Sequence, residues 1–236
     1  MSYVKKIVKK IMYGNRADSN SYISFLRNSG CSIGNKTVIY DPPSTFIDVT
    51  RPWLINIGEG VKIAKGVTIL THGYDWSVLK NMYHEVIGSS GKVTIGNNVF
   101  IGANSTILKG VSIGNNVIIG ANSLVNKEVP DNVVIAGNPA RIIMSIEEYY
   151  QKRKKEYINE AKELAIEYYK KYNQLPPIDK FHEFFPLFLE RNEQKFNESG
   201  YSFGDSLDPQ KDMDAFLNSK PIFKDYNEFL KWCGLI

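Results

Sequence analysis

Written in sixes from Ile95, the chain reads I-G-N-N-V-F, I-G-A-N-S-T, I-L-K-G-V-S, I-G-N-N-V-I, I-G-A-N-S-L and V-N-K-E-V-P. Earlier units open at Ile33, Ile57 and Ile63. An aliphatic residue leads each unit, a small or turn-forming residue usually follows, and Val, Ser or Thr takes the fifth place. An α-helix cannot produce this beat, because six residues at 3.6 per turn carry the next aliphatic side chain well over half a circle round. A short flat strand and a tight turn can. Three such units close a triangular coil, each aliphatic side chain stacks on its own kind one coil later, and the backbones pair as parallel ladders. Glycine and asparagine suit the corners because they tolerate positive φ. An ordinary sandwich would need a period of two and longer strands. The beat therefore predicts a mainly β chain, a parallel β-helix over residues 30–144, with Ile57, Ile63, Ile69, Ile95, Ile101, Ile107, Ile113 and Ile119 inside.

The rest of the chain divides around that domain. Residues 1–29 are expected to form an N-terminal helical segment, and residues 145–236 a C-terminal helical extension. In the first, Val4, Ile7, Val8 and Ile11 alternate with lysines and never form the apolar run of a signal peptide. Packing in an oligomer is the plainer expectation for that segment, and a membrane-surface helix the alternative. In the extension, Ser145 reads as a helix N-cap, acidic residues follow it, and Pro176-Pro177 stops a long charged helix. Aromatic clusters beyond suggest a further helical unit, where His182 is expected to be structural. No apolar run is long enough to cross a membrane. Cys31 and Cys233 lie far apart with no metal-binding spacing, so neither a disulfide framework nor a metal is expected, and a reducing cytoplasmic setting suits them. A net charge of +4 without interleaved aromatics gives no footprint for nucleic acid.

The beat fails in two places. Through "DPPSTFIDVTRPWLI" it blurs, and Thr45 and Arg51 would fill aliphatic slots. After "ILTH" it stops and resumes only at Ile95. A solenoid admits insertions at its corners, so residues 72–92 read as a loop thrown out from one corner. That loop carries His72, Tyr74, Asp75, Trp76, His84 and Glu85, side chains that a packed wall does not need. An imidazole can take the proton of a hydroxyl that is otherwise too weak an acid to attack a thioester at neutral pH. Asp75 and Glu85 are the nearby carboxylates that could orient it. Tyr74 and Trp76 offer flat faces to a sugar ring, or packing surfaces to a neighbour. A nucleophilic route would need an activated Cys or Ser, and Cys31 is expected in the core instead.

These hexads, with "VPDNVVIAGNPARII" after them, resemble the hexapeptide-repeat acyltransferases, in particular the subgroup of galactoside, maltose, virginiamycin and capsule-sugar O-acetyltransferases. The resemblance implies a left-handed β-helix, a homotrimer in which the excursion lies against a neighbouring subunit, and acetyl-CoA as acetyl donor. It also implies His72 as the catalytic histidine. For the donor it implies Ala103 and Ala121 along the pantetheine arm, and Asn126, Lys127 and Arg141 near the nucleotide. The function so implied is O-acetylation of a saccharide hydroxyl, such as a capsule or surface polysaccharide sugar, by direct transfer. Antibiotic or xenobiotic O-acetylation, amino-sugar N-acetylation and a noncatalytic β-helix scaffold are the alternatives.

Overall fold

The computed structural model describes the backbone of residues 3–236 and the side chains from residue 7 onward, so the Val4 side chain lies outside it. Two compact units divide the chain, one ending at Tyr149 and one running Tyr150–Ile236.

The first unit is a three-walled parallel β-helix. One wall stacks Ser32–Ile33, Ile55–Ile57, Val93–Ile95 and Ser112–Ile113. The second stacks Val38–Ile39, Lys62–Ile63, Val99–Ile101, Val117–Ile119 and Val133–Ala136, and ends on the antiparallel strand Arg141–Ser145. The third stacks Phe46–Ile47, Thr68–Ile69, Thr106–Ile107 and Leu124–Val125. Every isoleucine expected inside is buried, at 2% exposure or less. Each contributes roughly 1.5–3 kcal/mol by leaving water.

Between coils the corners are tied by side chains that repeat. Asn98 donates to Asn116 and Asn116 to Asn132, both at 2.9 Å, and all three take positive φ. The beat hides an inner row of hydroxyls. Ser105 and Ser123 are buried and both donate to the Gly120 carbonyl, at 2.9 and 2.7 Å, so neither costs an unpaired polar atom.

Helix α1 (Tyr3–Tyr13) precedes α2 (Ser19–Asn28), which Asp18 caps by accepting from the Ser21 N–H at 2.8 Å. Tyr22, Ile23 and Leu26 of α2 share one buried cluster with Ile39 and Ile47, and α2 lies against the first-coil strands Ser32–Ile33 and Val38–Ile39. Thr45 does face inward, but Arg51 does not occupy a coil slot. The next strand residue buried after Ile47 is Ile55, and residues 48–54 form a second corner loop containing the 3-10 turn Pro52–Leu54.

Helix α4 (Ile146–Tyr172) starts at the expected cap: the Ser145 N–H donates to Glu148 at 2.7 Å, and Ser145 Oγ accepts from the Glu148 N–H at 3.1 Å. It continues into the second unit, where Ala161 and Ala165 pack with Phe181, Leu187, Phe188 and Phe229. Three short helices complete that unit: α5 (Glu193–Ser199), α6 (Pro209–Asn218) and α7 (Tyr226–Cys233). His182 stands exposed there, edge-on to Tyr201. Among the described residues, no helix is long and apolar enough to cross a membrane.

Candidate active site

The excursion leaves the third wall just after Ile69 and is pinched at its neck. The Gly91 N–H donates to the Thr71 carbonyl at 2.9 Å, the Gly73 N–H to Ser89 at 3.1 Å, and His72 pairs with Ser90 as an antiparallel bridge. This clamp fixes His72 at the base of the loop. Beyond it, α3 (Trp76–Tyr83) ends where His84 turns into the left-handed region, at φ 57°.

His72 Nδ1 lies 2.6 Å from Asp48 Oδ2. Asp48 comes from the same corner one coil earlier: it follows Ile47, and its N–H donates to the Ile69 carbonyl at 3.0 Å. Its side chain is fully buried. Oδ2 also accepts from the Thr71 N–H at 3.1 Å and, in a short bond, from the Thr71 hydroxyl. Oδ1 accepts from the Thr50 N–H at 3.0 Å and the Thr50 hydroxyl at 2.7 Å.

Burial alone would push the Asp48 carboxyl up. Hydrogen bonds from Thr71, Thr50 and His72 outweigh it and hold the group well below the usual carboxylate range. An anionic Asp48 can only accept, so the short contact requires a proton on His72 Nδ1. In the neutral ring Nε2 then carries the lone pair. The His72 side chain is 33% exposed, enough for a substrate to reach it.

The carboxylate beside His72 is thus neither Asp75 nor Glu85, the two expected from the sequence. Asp75 sits at the start of α3, and Glu85 is exposed past its other end. Asp48 fell in the stretch where the beat blurs. The usable signal was alignment of coils: Phe46-Ile47 pairs with Thr68-Ile69, so "FIDVT" runs beside "TILTH" and Thr50 is carried next to His72. Their contact is 3.5 Å.

The other candidate residues are placed as follows. Tyr74 and Trp76 meet edge to face, with ring centres 4.9 Å apart, and Tyr74 is exposed. His84 is exposed at the far end of α3, away from the clamp. Ala103 and Ala121 lie on successive coils, where the Asn122 N–H donates to the Ala103 carbonyl at 2.8 Å. Asn126, Lys127 and Arg141 line one shallow recess together with Glu128 and Ala140. Neither cation there makes an ion pair among the described residues. Cys31 is buried, and its thiol is pushed up to about 11 by that burial and by the Asp48 charge, so it is no thiolate at neutral pH.

The bacterial transferase hexapeptide family (six repeats) matches residues 92–127, where the coils run unbroken. Protein CapG of Staphylococcus aureus is 47% identical over 150 residues, which cover 63% of this chain and 83% of that protein. The chain belongs to the hexapeptide-repeat acyltransferases. It is accordingly an enzyme of acyl transfer. Galactoside O-acetyltransferase of Escherichia coli (strain K12) is 38% identical to this acyltransferase over 104 residues, 42% of the chain. That match spans 48% of the relative, about half its length. A solved galactoside acetyltransferase in complex with coenzyme A aligns with TM-score 0.43 and 30% identity, over 61% of this chain and 81% of that one.

Proposed function

We propose that this acyltransferase moves the acetyl group of acetyl-CoA to a hydroxyl of a saccharide, by direct transfer with His72 as general base. The observation that carries this reading is the 2.6 Å contact between His72 Nδ1 and a buried, anionic Asp48. Held that way, the ring presents Nε2 as a base. It takes the hydroxyl proton as the oxygen–carbon bond forms and returns it to the departing thiolate, so no acyl-enzyme is needed. Once His72 has gained the proton, Asp48 stabilises the imidazolium. Thr71 and Thr50 hold that carboxylate in place.

The recess formed by Asn126, Lys127 and Arg141 suits the phosphate-bearing end of the donor, since exposed cations without an ion-pair partner can meet phosphate oxygens. Ala103 and Ala121 leave room for its arm along the coils. Tyr74 and Trp76 are assigned to the acceptor, with Asp75, His84 and Glu85 as polar groups of the same loop. We assign the β-helix a left hand and the protein a homotrimer. Support for the trimer comes from the excursion, whose Tyr74, Val78, Met82, Tyr83, Val86 and Ile87 are all exposed in one chain. Light scattering should return three chains per particle, and a fully active monomer would contradict that assignment.

The acceptor is tested by thiol release from acetyl-CoA across a panel of sugars, nucleotide sugars, amino sugars and hydroxylated antibiotics. The expected result is release with a saccharide and an acetyl ester as product. An amide product, or turnover restricted to the antibiotics, would overturn the acceptor assignment.

A further inference from the structure

Helix α1 leaves its apolar side open to solvent. At its period Ile7, Val8 and Ile11 share one face, and Lys9 and Lys10 lie on the other. A surface helix ordinarily buries such a stripe and exposes its charges. Here Ile7, Val8, Ile11 and Met12 are all exposed, Ile11 to 79%, whereas Lys9 is half-buried. The Lys10 ammonium reaches back to Ser21 Oγ of α2 at 3.3 Å. Lys10 is itself exposed and borders the stripe, and the apolar stripe calls for an apolar cover.

Charge selects the cover. The sequence pairs lysines at 5–6 and again at 9–10, and its first acidic residue is Asp18. The same helix from a second copy, laid stripe against stripe, would bring together the lysines at the stripe's edges, positions 5 and 10. A bilayer surface rich in anionic headgroups has no such conflict, because it takes an apolar stripe into the acyl boundary and the flanking lysines among its phosphates. We infer that α1 is an interfacial anchor that lays this protein on an anionic lipid surface without spanning it. Its length, about 16 Å, is that of a helix lying in the interface plane rather than crossing the bilayer.

The test is flotation of the full chain with vesicles of phosphatidylglycerol and phosphatidylethanolamine, against vesicles of phosphatidylcholine alone. The wild type should bind the anionic vesicles about tenfold or more tighter than the neutral ones, and added salt should weaken binding. The double variants Ile7→Ser/Ile11→Ser and Lys9→Glu/Lys10→Glu should each reduce binding by about tenfold or more, with thermal melting unchanged. Absence of flotation in the wild type, or equal binding to both vesicles, would overturn the inference. So would a changed oligomeric state in Ile7→Ser/Ile11→Ser, which would assign the stripe to a second copy.

Discussion

Replacing Asp48 by Asn keeps its shape and removes its charge, and the geometry around it leaves the amide no comfortable orientation. One carboxylate oxygen accepts from the Thr50 N–H and the other from the Thr71 N–H, at 3.0 and 3.1 Å. Either way the amide is turned, its NH2 group faces a backbone donor. An orphaned buried donor costs about 1–3 kcal/mol, and the loss of charge-assisted bonds adds to that, so a loss of about 3 kcal/mol is expected. For a chain of this size that lowers Tm by roughly 6–12 °C. If the NH2 faces His72, the ring must accept at Nδ1 and carry its proton on Nε2, which removes the base. Turnover should then fall by about 10²–10⁴ while the KM for acetyl-CoA stays near normal. The variant should be assayed by thiol release with a working acceptor and by thermal melting. The acid side gives an independent reading. Because the folded pKa of Asp48 is depressed, its contribution is present above the unfolded value, near about 3.9, and is lost as pH falls through the lower folded one. Below pH of about 4 the wild type should lose stability more steeply than Asp48→Asn. An Asn variant with turnover within about twofold of wild type and an unchanged Tm would refute the reasoning.

Ile101→Asp should abolish cooperative folding, because it places an unpaired charge at a position with no exposure in the stacked interior; a normal melting transition would contradict the β-helix packing. Cys31 and Cys233 are both buried, with thiols pushed up to about 11 chiefly by burial, so neither should react with a thiol reagent at pH about 8 until denaturant is added. The stability tied to those raised values is present below the ordinary thiol range and is lost as pH climbs toward about 11, a slope that Cys31→Ala should reduce. Thr71→Val should lower turnover, and Thr71→Ser should restore it, since Val keeps the backbone N–H that bonds Asp48 but lacks the hydroxyl that Ser retains.

The walls of the β-helix were legible because a solenoid writes its interior into the sequence at a fixed interval: the side chains that stack at Ile95 and Ile113 or at Ile101 and Ile119 share a place in successive coils, three hexads apart. The cap at Ser145 was legible for a similar reason, because its partner Glu148 lies within the same turn. Asp48 was not. Its bond to His72 spans 24 residues and depends on which corner of one coil lies above which corner of the next. The loops at residues 48–54 and 72–92 both insert at that corner, so the fixed interval gives no register there. The orientation of α1 was equally hidden, since periodicity reports that a helix has two faces and not which one meets the protein. In the second unit, Phe181 and Phe229 pack edge to face at 5.3 Å without any repeat to announce the pairing.

His72→Ala removes the proposed base and leaves the residues that hold it in place. Nothing else in the clamp need change, since Asp48 keeps its bonds from Thr71 and Thr50, and the variant should melt close to the wild type. With an acceptor that the wild type acetylates, turnover should fall by about 10²–10⁴, with acetyl-CoA binding near normal, whereas His84→Ala and His182→Ala should do much less. Undiminished turnover in a folded His72→Ala protein, measured as acetylated acceptor rather than as background thioester hydrolysis, would rule out His72 as the general base.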